Sequence, residues 1–132
     1  MERKNIAGNS PYEATVGFSR AVKVGPFVTI SGTVATGADG KIVGGDDMYA
    51  QAVQTLQNIG KALEQAGASF RDVVRTRTYV TDISRWQDAA RAHGEVFREI
   101  RPAATMVQVT AMVAPEMLVE IEADAIITSE LK

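Results

Sequence analysis

The apolar residues Met48, Ala52, Leu56, Ile59 and Leu63 recur at steps of four and three, while the segments on either side of them alternate at steps of two. A block of helical period set among blocks of strand period confines the chain to a mixed fold, because each period buries its own kind of face. Asp46 or Asp47 can cap this helix, and Gly67 stands where a C-terminal glycine is expected. Before it, "RAVKVGPFVTISG" divides at Gly25-Pro26 into Val16 to Val24 and Phe27 to Ser31, which predicts an antiparallel hairpin. "GADGKIVGGDD" is turn chemistry around a short strand from Lys41 to Val43.

After the helix, "VVRTRTYV" alternates, with Arg75, Arg77 and Tyr79 on one side and Val74, Thr76, Thr78 and Val80 on the other. A second helix is predicted after Ser84, running to about Arg98, with Trp86, Ala89, Ala90, His93 and Phe97 on its apolar side. Pro102 cannot sit inside that helix and so begins the next segment. Two strands remain, Met106 to Val113 and Leu118 to Ile127, joined by a turn around Ala114-Pro115-Glu116. The order β, β, β, α, β, α, β, β predicts an α+β layer, one sheet with two helices on one face. The other face must then be polar or pack against another chain.

At 132 residues the chain suits one domain spanning 1–132. Fourteen Lys and Arg against sixteen Asp and Glu leave a net charge of −2, which offers no attraction to phosphate backbones or anionic membranes. Neither nucleic acid nor a membrane is an expected partner. No apolar stretch approaches the roughly 18 residues of a membrane span, and "MERKNIAGNS" lacks the apolar block of a secretory signal, so a cytoplasmic protein is expected. The absence of cysteine agrees with a reducing compartment and excludes disulfides, thiolate metal sites and a cysteine nucleophile.

Glu120, Glu122 and Asp124 occupy every second place in the last strand. On residue chemistry alone they are equivalent, and Arg75 and Arg77 can pair with them across the sheet. His93, the single histidine, falls in an apolar stripe and reads as a packing residue. Ser31 has no Asp and His arrangement behind it, which excludes a hydrolase triad. The glycine-rich loop lacks a Gly-Lys-Ser/Thr ending, and its aspartates repel phosphate without matching a calcium loop. No metal and no cofactor are expected.

"VGFSRAVKVGPFVTISG", "ALEQAGASFRDVVRTRTYVTDI", "RPAAT" and "EMLVEIEADAI" together resemble the Rid family, also called YjgF-like proteins, from about residue 11 to 127. The resemblance implies a fold similar to the small chorismate mutase of bacilli and a homotrimer with small-molecule clefts between subunits. It also implies the hydrolysis of reactive enamines and imines such as 2-aminoacrylate to ammonia and a 2-keto acid. In active members the segment matching "PAAT" carries an arginine that holds the substrate carboxylate in a bidentate pair, and here Ala104 takes its place. A family stretch "GPYSQAV" is matched by "VGFSRAV", so Phe18 replaces a pocket tyrosine. Ser31 and Gly32 match the pocket's serine and glycine, and Glu120 matches the glutamate that orients the attacking water.

Losing a charge-assisted fork worth about 1.5–3 kcal/mol implies a substrate other than 2-iminopropanoate, one without an α-carboxylate suiting the Ala104 pocket. Arg91, aligned with a family position whose side chain reaches the cleft, is the expected replacement cation. The resemblance therefore predicts a deaminase-type hydrolase with Glu120 catalytic and Ser31, Gly32, Phe18, Ala104 and Arg91 binding substrate. A noncatalytic trimer that binds or senses a metabolite is the alternative. Ribonuclease action, attached to some relatives, is disfavoured by the net charge, the lone histidine and the lack of a basic aromatic stripe.

Overall fold

The computed structural model describes residues 1–131. β1 (Arg3–Ile6), β2 (Ala21–Val24) and β3 (Phe27–Thr33) are followed by α1 (Met48–Gln65), β4 (Val73–Val80), α2 (Trp86–Phe97), β5 (Ala103–Gln108) and β6 (Val119–Ile126). The six strands form one mixed sheet in the order β1-β2-β3-β6-β4-β5. Every neighbouring pair is antiparallel except β4 and β5, whose parallel pairing requires a crossover that α2 supplies.

The helical stripe reads through directly: Met48, Ala52, Leu56, Ile59 and Leu63 are all buried. Each such side chain removed from water stabilises the fold by about 1.5–3 kcal/mol. Asp47 caps α1 by accepting the Ala50 N–H at 3.0 Å. Gly67, at φ +79°, ends it, and the Ala68 N–H returns to the Leu63 carbonyl at 2.8 Å. The same helix buries two polar residues, Gln51 and Thr55. Gln51 Nε2 donates to the Gly45 and Glu116 carbonyls, both at 2.8 Å, and Oε1 accepts the Leu118 N–H at 2.9 Å. One buried amide thus ties the loop before α1 to the loop that feeds β6.

Both helices lie on one face. Along β6, Val119, Ile121, Ala123 and Ala125 are buried beneath them, while Glu120, Glu122, Asp124 and Ile126 are half-buried on the opposite face. Paired in register with β6, Thr76, Thr78 and Val80 of β4 share the covered face.

Several local expectations need correction. β1 was not predicted, since of its four residues only Ile6 is buried and no alternation shows. Residues 13–17 form a single wide helical turn, so β2 begins at Ala21 and not at Val16. Lys41 to Val43 is not a strand; only Ile42 bridges Thr36. β5 starts at Ala103 and stops at Gln108, short of Val113, because its partner β4 ends at Val80. Val74 leaves the buried side of β4 at a bulge, where the pairing passes from Val73 with Ala125 to Arg75 with Asp124. On α2 the buried side is Ala89, Ala92 and Phe97, and Trp86 at the first turn is 48% exposed.

Candidate functional site

The site begins with a second irregularity in the sheet. On β3, Ile30 pairs with Ala123 and Thr33 with Ile121, so Ser31 and Gly32 share one position opposite Glu122. The extra residue bends the strand and brings its backbone against β6. Glycine at the second place makes room for the Glu120 carboxylate: a Cβ on Gly32 would lie 2.9 Å from Glu120 Cδ and overlap Oε2, so Glu120 would have to turn away.

Around this bulge a cleft of about 1050 Å³ is lined by Phe18, Arg20, Ser31, Gly32 and Glu120, with Tyr12 among the residues of the N-terminal segment. Ser31 Oγ donates to the Ser19 carbonyl at 2.7 Å, which leaves its lone pairs free to accept from a ligand N–H. Burial holds the Glu120 carboxyl above its usual range, Glu122 adds to that shift, and Arg20 opposes it. Of the three acids on β6, Glu120 alone makes no hydrogen bond to the described residues. A half-buried carboxylate that keeps its proton more readily than usual and has no protein partner is equipped to exchange a proton with a bound water.

Glu122 and Asp124 are otherwise engaged. Arg77 reaches both, at 3.5 and 3.0 Å, Tyr79 donates to Glu122 at 3.0 Å, and Thr29 donates to Asp124 at 2.6 Å. The pairing expected of Arg75 does not form, because its Nη2 donates instead to Thr105 Oγ1 at 2.7 Å.

Arg20 is the residue that sequence reasoning missed. It immediately precedes β2, its side chain is only 12% exposed, and its Nη1 donates to the Gly32 carbonyl at 2.6 Å and Thr33 Oγ1 at 2.9 Å. Burial lowers its pKa, and Glu13 and Glu120 resist that shift. Glu13 Oε2 lies 4.0 Å from Arg20 Nε, and the Glu13 carboxylate also accepts the Gly8 N–H at 3.0 Å and the Ser10 N–H at 3.3 Å, which fixes the N-terminal segment beside the cleft. The signal was the Arg in "VGFSRAV", where the family stretch has Gln.

The other predicted site residues lie elsewhere in this chain. Ala104 pairs with Thr76 on the edge strand β5, two strands from β6, and is exposed. The Arg91 guanidinium stacks 3.7 Å from the centroid of the Tyr49 ring, and the Tyr49 hydroxyl donates to Glu95 at 2.8 Å. His93 Nε2 lies 2.8 Å from Thr76 Oγ1, and its ring centroid is 4.6 Å from that of Phe97. Burial lowers its pKa, as suits a neutral packing residue outside the cleft.

Comparison with known proteins agrees with this architecture. A family described as Endoribonuclease L-PSP matches residues 8–127. A RutC family protein of Pyrococcus abyssi is 35% identical over 109 residues, covering 82% of this chain and 84% of that one. The human 2-iminobutanoate/2-iminopropanoate deaminase is 33% identical over 110 residues, covering 83% of this chain and 79% of the relative. A crystal structure of a YjgF/YER057c/UK114 family member from Mycobacterium tuberculosis superposes with a TM-score of 0.86 at 49% identity, covering 95% of this chain and 99% of that one. With the family matched across almost its whole length and the sheet, helices and cleft in place, the chain belongs to the Endoribonuclease L-PSP family, the YjgF-like or Rid proteins.

Proposed function

We propose that this protein is a Rid-type hydrolase that converts a small reactive enamine or imine to a carbonyl compound and ammonia. The observation that carries the reading is the unpartnered Glu120 carboxylate, half-buried in a cleft against the Gly32 bulge and raised in pKa by that burial. An enamine first tautomerises to the imine; Glu120 then takes a proton from water as the oxygen adds to the C=N carbon, and passes that proton to the nitrogen. The carbinolamine then collapses to C=O, expelling ammonia. Ser31 accepts from the substrate N–H, and Gly32 and Phe18 shape the wall. The functional form in this proposal is a homotrimer, in which a neighbouring subunit's β5 edge, with Ala104, and its α2, with Arg91, close the cleft. Ala104 brings no charge there, so a substrate other than 2-iminopropanoate is expected unless another cation of the cleft meets the carboxylate. The human relative named as an imine deaminase supports the reaction class.

Purified protein is to be assayed on 2-aminoacrylate generated in situ and on imines without a carboxylate, following ammonia release. Acceleration of either that falls about 100-fold or more in Glu120→Gln is the expected result. No acceleration of any substrate would sink the reading.

A noncatalytic metabolite binder is the second reading, and one observation favours it: Arg91 is already stacked on Tyr49. Saturable ligand binding with no turnover would establish it. Ribonuclease action, the word in the family description, gains nothing from this cleft, because the single histidine is held by Thr76 and Phe97 away from it.

A further inference from the structure

The cleft contains a cation that the proposed reaction does not use. Arg20 spends Nη1 on the Gly32 carbonyl and Thr33 Oγ1, which is enough to hold the bulge together. Its Nη2 donates to none of the described residues. Since no buried side-chain nitrogen or oxygen among those residues lacks a partner, Nη2 keeps access to solvent, on a residue that lines the cleft. A guanidinium presents five donors in a rigid plane, so fixing one nitrogen on the bulge aims the other without further cost in side-chain freedom.

What surrounds Arg20 completes a polarised site. Glu120 lies near enough for the two charges to influence each other, yet no N···O approach of 4.0 Å or less joins them. The cation and the carboxylate therefore line the same cleft without being paired to each other. Ser31 offers acceptor lone pairs on the same wall.

We propose that Arg20 is the specificity-determining cation of this cleft, donating through Nη2 to a carboxylate or other oxyanion of a small ligand whose nitrogen lies between Ser31 and Glu120. The inference rests on the cleft assigned under the proposed function and deepens it: the anion is read by the chain that carries Glu120, not by β5 or α2. Substrates with an oxyanion are therefore preferred despite Ala104, provided that the oxyanion sits where Arg20 can meet it.

Calorimetric titration of the full chain with pyruvate and with pyruvamide tests this, because the two probes differ in charge and little in shape. Pyruvate is expected to bind about tenfold or more tightly than pyruvamide, as a charge-assisted contact in a half-dry cleft requires. Arg20→Gln should abolish that preference, because loosening the bulge weakens both probes while only pyruvate also loses its charge partner, and Arg20→Lys should restore part of it. If Arg20→Gln does not fold, the ¹⁵N resonances of the Arg20 guanidinium in the native protein give the answer, since they should shift on adding pyruvate. Equal binding of the two probes, a preference that survives in Arg20→Gln, or an unmoved Arg20 resonance would each overturn the proposal. Turnover does not enter the measurement. Arg20-dependent binding without hydrolysis would therefore remove the hydrolase and keep this site, and hydrolysis indifferent to Arg20 would do the reverse.

Discussion

Glu120 and Gly32 form a fitted pair, and each makes a separate expectation about the other. The folded-state pKa of Glu120 lies above its ordinary 4.5, so the folded protein binds the proton more tightly than the unfolded chain does. Its favourable contribution is present below pH 4.5 and is lost as the pH rises through the folded value. Urea unfolding between pH 4 and pH 8 should accordingly show Glu120→Gln gaining stability over the native protein as the pH rises, while activity falls. A constant difference across that range would show that the carboxyl is not perturbed. Gly32→Ala places a methyl where the Glu120 carboxylate now lies. Overpacking of this kind costs about 1–3 kcal/mol, and the larger consequence should be a Glu120 turned out of place. Ligand binding and turnover are expected to fall at least tenfold, more than the stability loss alone would cause, with chemical denaturation and an ammonia assay run on the same variant.

At the level of elements, the cleft depends on ties between them that no single element contains. Gln51→Ala would remove the partner that the Gly45 and Glu116 carbonyls and the Leu118 N–H share. A loss of about 2–4 kcal/mol in urea denaturation is expected, since three hydrogen bonds worth about 0.5–1.5 kcal/mol each are lost. Gln51→Glu should not rescue it, because an ionised carboxylate cannot donate to those two carbonyls. His93 couples α2 to β4 through Thr76 and carries the opposite pH sign to Glu120. Its pKa is below the ordinary 6.5, so its contribution is present above pH 6.5 and lost as the pH falls through the folded value. His93→Gln should flatten the decline in stability on acidification below pH 6.5, and an unchanged decline would place the proton elsewhere.

For the whole molecule, the decisive feature is that both helices cover one face of the sheet and leave the other to β-strand side chains. That open face carries the Arg77, Glu122 and Asp124 cluster beside exposed apolar groups, Phe27 at 49% and Val107 at 42%. Charges already neutralised by one another and apolar side chains in reach of solvent suit burial against further copies. Sedimentation equilibrium at micromolar concentration should therefore return three chains per particle under the proposed function. A monomer would confine the site to the residues of one chain, with Arg20 and without Ala104.

The sequence by itself determined α1 and its caps, the hairpin at Gly25-Pro26, and the alternation of β4 and β6, because each depends on neighbours within a few residues. The family motifs also singled out Phe18, Ser31, Gly32 and Glu120, which the fold brings to one cleft. They placed the replacement cation on Arg91, which in this chain rests on Tyr49. Local spacing leaves Glu120, Glu122 and Asp124 equivalent, and the tertiary structure supplies the physical difference between them, which lies in Arg77, Tyr79 and Thr29 from other strands. The tertiary structure alone exposed Arg20, whose role follows from a two-for-one bulge in β3 that leaves no mark in residue periodicity. Burial and long-range pairing assign chemistry to otherwise equivalent side chains, and neither is a property of local spacing.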